Sequence, residues 1–182
     1  MIALANTPVI ETQNLILRAP QYGDWEVWHP FAESDRAQYI DRLDRRTAWR
    51  TFASELGNWP LFGFGPFHLE RKSDGAILGN VGVLNHDHFP EVEIGWIMYD
   101  GSEGQGYAAE AATAVRDWAF GPRGLSTLVS YIDPENSRSI ALAERLGARL
   151  DPDAEGEDEG DLVYRHPNPF GSDNDGSPAA YA

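Results

Sequence analysis

The sequence predicts an α+β fold, a mixed α/β sheet with helices packed on it, on three observations. Short alternating runs of apolar and polar residues recur along the chain, helix-period segments stand between them in mixed order, and two of the runs are joined by a hairpin turn. With 182 residues, 42% apolar and 12% aromatic, the chain can bury one core and reads as a single domain over residues 1–170. The closing stretch GSDNDGSPAAYA, residues 171–182, has too little apolar content to pack and is expected to be a disordered tail.

NLILR, Asn14 to Arg18, alternates and opens the sheet. APQYGD then turns the chain, and Asp24 is expected to cap a short helix through Phe31. A second helix is predicted over Arg45–Leu56, where Trp49 and Phe52 fall three apart on one face and read as core. WPLFGFGPF, residues 59–67, is too rich in glycine and proline for regular structure and is expected to be a loop. PFHLERK and GAILGNVGVLN are two strands, with SDG between them as the hairpin turn. After the loop HDHFP, EVEIGWIMY alternates as a strand and runs into a glycine turn, GSEGQGYAAEA, and a helix from about Tyr107 to Phe120. LSTLVSYID is the next strand, a helix opens at Asn136 or Ser137 and closes at Gly147, and GDLVYR is the last strand.

Composition excludes several function classes. The 29 acidic residues against 14 basic ones, a net charge of −15, argue against nucleic acid as a partner, because its phosphates would be repelled at long range. Part of that excess lies in DPDAEGEDEGD, residues 151–161, read as a solvated loop. The charge would steer a cationic substrate favourably, and it also serves solubility. With no cysteine, disulfides, cysteine–metal sites and thiol nucleophiles are excluded. MIALANTPVI lacks the basic start and long apolar stretch of a signal peptide, and no run of 18 apolar residues exists. A soluble, cytoplasmic protein without membrane partners, monomer or homodimer, is therefore expected. His86 and His88 flank Asp87, but three consecutive residues rarely converge on one ion, and no metal is expected.

The glycine turn is the most informative stretch. Gly104 and Gly106 free the backbone to take positive φ, and the helix after them aims unpaired amides and the positive end of its dipole back at the turn. That is an anion site. Gly104, Gly106 and Ala109 form G-x-G-x-x-A, with Asp133 downstream, the pattern of a dinucleotide-binding unit, but three features argue against that reading. Asp100 to Glu103 intervene between strand and turn, the turn lies past the middle of the chain, and too little chain follows Asp133 for the remaining strands.

Read together, EIGWIM, EGQGYA, LVSYID and PENSRSIALAERLGA resemble the GNAT superfamily of acetyl-CoA-dependent N-acyltransferases, and within it the ribosomal-protein N-terminal acetyltransferase branch. The family's loop, Arg/Gln-x-x-Gly-x-Gly/Ala, falls on Glu103, Gly104, Gln105, Gly106, Tyr107 and Ala108. Its Asn-x-x-Ser followed by a helix ending in Leu-Gly falls on Asn136, Ser139, Leu146 and Gly147. IETQNLILRAP and VYRHP resemble the branch's first and last strands, so the likeness spans about residues 10–167. The resemblance implies a central mixed, mostly antiparallel sheet flanked by helices. Its strands 91–99 and 125–133 splay apart around the pantetheine arm of coenzyme A.

Under that resemblance the amides of Gln105, Gly106, Tyr107, Ala108 and Ala109 hold the cofactor's pyrophosphate, with Gly104 and Gly106 leaving it room. Backbone groups of Ile97 and Met98 pair with the pantetheine amides, and one of their N–H groups serves the oxyanion. Glu93, on the face of Gly95 and Ile97, is implied as general base, its pKa raised by the cleft. Many relatives carry a tyrosine as acid where this chain has Ala143. Ser139 is left to give the departing sulfur a hydrogen bond, while Asn136 bonds the cofactor or caps the helix. Glu103 stands where the family has Arg or Gln and would repel phosphates unless paired with an arginine. The implied function is acetyl transfer from acetyl-CoA to a primary amine, a protein or peptide N-terminus being one candidate. The alternative is a non-catalytic acyl-CoA-binding module. Segments 20–66 and 85–90 would form the acceptor pocket, although Trp25, Trp28, Trp59 and Phe64 within them read as core.

Overall fold

The computed structural model describes residues 7–40 and 42–171, so all but the first residue of the expected tail lies outside the described residues. Eight strands among them form one sheet: β1 (Ile10–Glu11), β2 (Leu15–Arg18), β3 (Pro66–Arg71), β4 (Ile77–Leu84), β5 (Glu93–Met98), β6 (Val129–Ile132), β7 (Arg149–Leu150) and β8 (Leu162–Arg165). Their spatial order is β1-β2-β3-β4-β5-β6-β8-β7. Every neighbouring pair is antiparallel except β5 with β6. The helices are α1 (Trp25–Ala32), α2 (Arg45–Leu56), α3 (Asn58–Phe62), α4 (Tyr107–Phe120) and α5 (Ser137–Arg145). No helix of the described residues is long and apolar enough to cross a membrane.

The predicted hairpin forms at SDG, where Gly75 takes φ 73° and the Arg71 N–H donates to the Ala76 carbonyl at 2.8 Å. The sheet packs one face on α4, with Leu15, Leu17, Phe67, Leu69, Val81, Ile94, Ala112 and Val115 in the core between them. On its other face Trp25, Trp28, Ala32, Ala48 and Phe52 of α1 and α2 cluster around Tyr99, with Ile97 packed against them.

Three local expectations need correction. The stretch 59–67 is not all loop, because α3 runs through Asn58–Phe62 before Gly63 closes it at φ 73°. Pro60 sits in the first turn of that helix, where a missing N–H costs nothing, and Pro66 already starts β3. Asp24 does not cap α1. Its carboxylate instead accepts from both Arg18 Nη atoms at 2.9 Å and from the Gln21 amide at 2.7 Å, with His68 Nδ1 at 3.1 Å. Burial alone would raise the pKa of this group, but the bonds from Arg18 and His68 hold it well below the usual carboxylate range. Trp49 is not core: it is 44% exposed and meets Trp25 edge-on, whereas Phe52 beside it is buried.

Candidate functional site

β5 and β6 share a single paired position, Glu93 with Val129. Beyond it each strand stays in register with its outer neighbour, β5 with β4 as far as Met98 and β6 with β8 as far as Ile132, so the two part. The junction is clamped by Arg165, which grips both Glu91 oxygens at 2.7 Å and Asp151 at 2.9 Å. One step on, Ser130 Oγ donates to the Ile94 carbonyl at 2.5 Å and lies 3.0 Å from His166 Nε2, so a side chain replaces the next rung of the ladder. Burial pushes His166 down to about 3, which keeps its ring neutral. Both residues lie in stretches read only as strands, LVSYID and VYRHP, and the sequence carries no signal that Ser130 and His166 meet.

The exposed edge of β5 follows from its hydrogen bonds. The Val92, Ile94 and Met98 carbonyls accept on the side of the gap, from the Val129 N–H, Ser130 and Arg36, while the Tyr99 N–H donates to Leu78 on β4. Backbone groups alternate along a strand, so those of Trp96 and Met98 face the gap and those of Ile97 face β4. By this register the backbone groups of Ile97, expected to meet the pantetheine arm, are taken up by β4, whereas those of Trp96 and Met98 point into the gap.

A cleft of about 180 Å³ opens on the α1–α2 side of this gap. Trp28, Tyr39, Ile40, Leu43, Thr51 and Glu55 line it from the segment 20–66, and Glu93, Gly95, Trp96, Ile97, Ser130, Tyr131, Asp133, Asn136 and Ser139 line it from β5, β6 and the start of α5. The expected contribution of residues 85–90 is absent from this lining. Trp25, Trp59 and Phe64 are buried core, as read, and Trp28, also buried, borders the cleft.

Glu93 folds its carboxylate over Gly95: a β-carbon placed there would stand 3.2 Å from Glu93 Oε1. Burial, reinforced by the negative charges of Glu157 and Glu55, pushes Glu93 up to about 8. Glu55, a second cleft carboxyl that sequence reading missed, is pushed up to about 7 by burial. Across the gap, Ser139 Oγ accepts from the Trp96 indole N–H at 3.2 Å, which leaves the hydroxyl proton free to be donated. Asn136 caps α5, its Oδ1 accepting from the Ser139 amide at 3.2 Å. Ala143 is fully buried against the core under α5 and does not line the cleft.

Gly104 and Gly106 both take left-handed φ, 73° and 84°, and Gly106 starts α4 with no side-chain cap. A β-carbon on either would meet nothing within 4 Å, so the space over the turn is open while Tyr107, Ala108 and Ala109 present first-turn amides beside it. An open cradle with donors and left-handed glycines suits the pyrophosphate of coenzyme A. The Gln105 side chain turns away, donating to the Gly101 carbonyl at 3.0 Å. Glu103 is paired with Arg36. Among the described residues no three His, Asp or Glu side chains converge to hold a metal, and His88 lies against Glu157 at 3.2 Å.

The family model described as acetyltransferase (GNAT) domain matches residues 14–149. An uncharacterised protein of Bacillus subtilis (strain 168), YkkB, is 34% identical over 120 residues, 64% of this chain and 70% of that one. The crystal structure of an acetyltransferase from Agrobacterium tumefaciens str. C58 superposes with a TM-score of 0.85 at 42% identity, covering 87% of this chain and 94% of that one. The structure of a putative ribosomal-protein-serine acetyltransferase from Vibrio cholerae gives 0.72 at 26% identity, covering 90% and 98%.

Proposed function

The chain belongs to the GNAT family of acetyl-CoA-dependent N-acetyltransferases, and from that premise we propose that Glu93 is the general base for a primary amine held in the cleft. The observation that carries this is the Glu93 carboxyl itself, folded over Gly95 beside the free edge of β5 and pushed up to about 8 by its surroundings. A base of that strength takes a proton from an ammonium group in the cleft far more readily than an ordinary carboxylate does.

When bound, acetyl-CoA supplies the acyl group as an activated thioester. The amides of Gln105, Gly106, Tyr107, Ala108 and Ala109 hold its pyrophosphate, and the backbone groups of Trp96 and Met98 pair with its pantetheine arm. The Met98 N–H stabilises the negative charge that develops on the acyl oxygen. Ser139, positioned by the Trp96 indole, gives its hydroxyl proton to the departing sulfur as a hydrogen bond. Asn136 acts through α5, by fixing the first turn from which Ser139 projects.

The acceptor is a primary amine that enters as a cation, which Asp133 in the cleft lining and the net charge of −15 favour. A protein α-amino terminus is the finer reading, supported by the likeness to the putative ribosomal-protein-serine acetyltransferase from Vibrio cholerae. Thiol release from acetyl-CoA, measured against α-amino peptides and alkylamines with the wild type and Glu93→Gln, tests both parts. Turnover of no amine would leave a binding module, and equal turnover by the variant would remove Glu93 from the chemistry.

A further inference from the structure

Arg36 lies far from the glycine turn in sequence, on a 3-10 turn (Asp35–Ala37) after α1, yet its side chain reaches the turn. Its guanidinium pairs with Asp100 and Glu103 and donates to the Met98 carbonyl at 3.2 Å on the free edge of β5. It also lies over the Phe31 ring, 5.7 Å from its centroid. The short turn is fixed in its own right, since the Arg36 amide donates to Ser34 Oγ and Ser34 Oγ donates to the Phe31 carbonyl at 2.7 Å. The side chain is 32% exposed, so its charge is open to a molecule entering the gap.

Two features of this arrangement point to a ligand. Met98 offers one of the backbone groups that the pantetheine arm would pair with, and Arg36 occupies its carbonyl. The turn also carries Glu103 where the family's loop has Arg or Gln, and Glu103 is what holds a guanidinium over it. We infer that Arg36 is a coenzyme A phosphate ligand, tethered over the glycine turn by Glu103 and free to turn from the Met98 carbonyl and Asp100 toward the pyrophosphate.

The exchange is chemically favourable. A guanidinium has five N–H donors, so Arg36 can keep Glu103 while it reaches phosphate oxygens in a bidentate fork. Asp100 is 83% exposed and returns to water when released, where an exposed ion pair contributes little. The Met98 carbonyl, once released, is available to a pantetheine amide. A basic group thus comes to the phosphates from a segment outside the loop motif, and Glu103 becomes its anchor.

This rests on the glycine turn being the pyrophosphate site, so the test includes Gly106→Val. The variants Arg36→Gln and Arg36→Lys are compared with the wild type in full-length protein, using acetyl-CoA and S-acetylpantetheine, which lacks the pyrophosphate. Arg36→Gln is expected to raise the KM for acetyl-CoA about tenfold with kcat nearly unchanged, and to leave the KM for S-acetylpantetheine unchanged or lower. Arg36→Lys should recover part of the loss, and the salt dependence of coenzyme A affinity should be shallower in Arg36→Gln. An unchanged KM for acetyl-CoA in Arg36→Gln overturns the inference if Gly106→Val has lost affinity. Equal losses for both thioesters also overturn it, since Arg36 would then only position the turn. If Gly106→Val keeps its affinity for coenzyme A, the assignment of the turn falls, and Arg36 with it.

Discussion

Replacing Glu93 with glutamine removes the base and leaves the size and shape of the cleft. With the Glu93 carboxyl at about 8, about one wild-type molecule in eleven carries the ionised group at pH 7 and about ten in eleven at pH 9. For an acceptor that binds as a cation, kcat/KM of the wild type should therefore rise about tenfold between those values and level off above them. In Glu93→Gln the neutral amine must come from solution. An alkylamine of pKa about 10.4 becomes neutral about a hundredfold more often over the same range, so the variant should gain about a hundredfold. The deficit of the variant, of the order of a positioned base's 10²–10⁴-fold contribution, should thus narrow about tenfold from pH 7 to pH 9. Initial rates of thiol release at subsaturating amine, with acetyl-CoA saturating, give the two profiles. Parallel profiles, or a wild type with no inflection between pH 7 and 9, would refute the role given to Glu93.

Gly106→Val should cost at least a hundredfold in coenzyme A affinity by calorimetry, because the new side chain enters the open space over the turn at φ 84°, a strained conformation for a β-branched residue. Unchanged affinity would mean that the phosphates lie elsewhere. Gly95→Ala should lower kcat about tenfold without altering coenzyme A affinity, since the methyl group pushes the Glu93 carboxylate from its place; a variant with wild-type kcat would show that this geometry does not matter. Ser139→Ala should lower kcat severalfold while the melting temperature holds, because Asn136 caps α5 through a backbone amide that alanine keeps. A fall in melting temperature of several degrees instead would mark the serine as structural. Glu103→Gln should bring no gain in coenzyme A affinity at low salt, as the carboxylate is already neutralised by Arg36; a severalfold tightening would mean that the two do not pair in solution.

Elements whose character is written in neighbouring residues could be read from the sequence, and elements fixed by distant partners could not. The alternation in EVEIGWIM correctly put Glu93, Gly95 and Ile97 on one face, because side-chain alternation is local to a strand. It could not say which backbone edge faces the gap. That depends on the register with β4, where the Tyr99 N–H meets Leu78, and this is why the backbone of Trp96, rather than that of Ile97, faces the gap. The positive φ of Gly104 and Gly106 and the cap by Asn136 were likewise readable, since each is a property of its own turn. Pro60 misled because proline breaks a helix interior but not a first turn, and only the position of Gly57 and Gly63 around it decides between the two.

Charge was the least readable quantity. Glu55 is an unremarkable helix residue in the sequence, and only its burial in the cleft shared with Glu93 makes it a weak acid. Glu103 is the opposite case, a carboxylate that the sequence leaves either repelling phosphate or paired with an unidentified arginine. Taken with its neighbours it is a carboxylate aimed at a phosphate site and should repel it, roughly 2 kcal/mol at 8 Å and an effective dielectric near 20. The partner that removes this repulsion, Arg36, stands at the other end of a fold-dependent contact, beyond α2, α3 and three strands of the sheet. A local motif therefore gives the shape of an anion site, through its glycines and amides. Its net charge is set by whichever side chain the fold brings over it, and for this turn that side chain is Arg36.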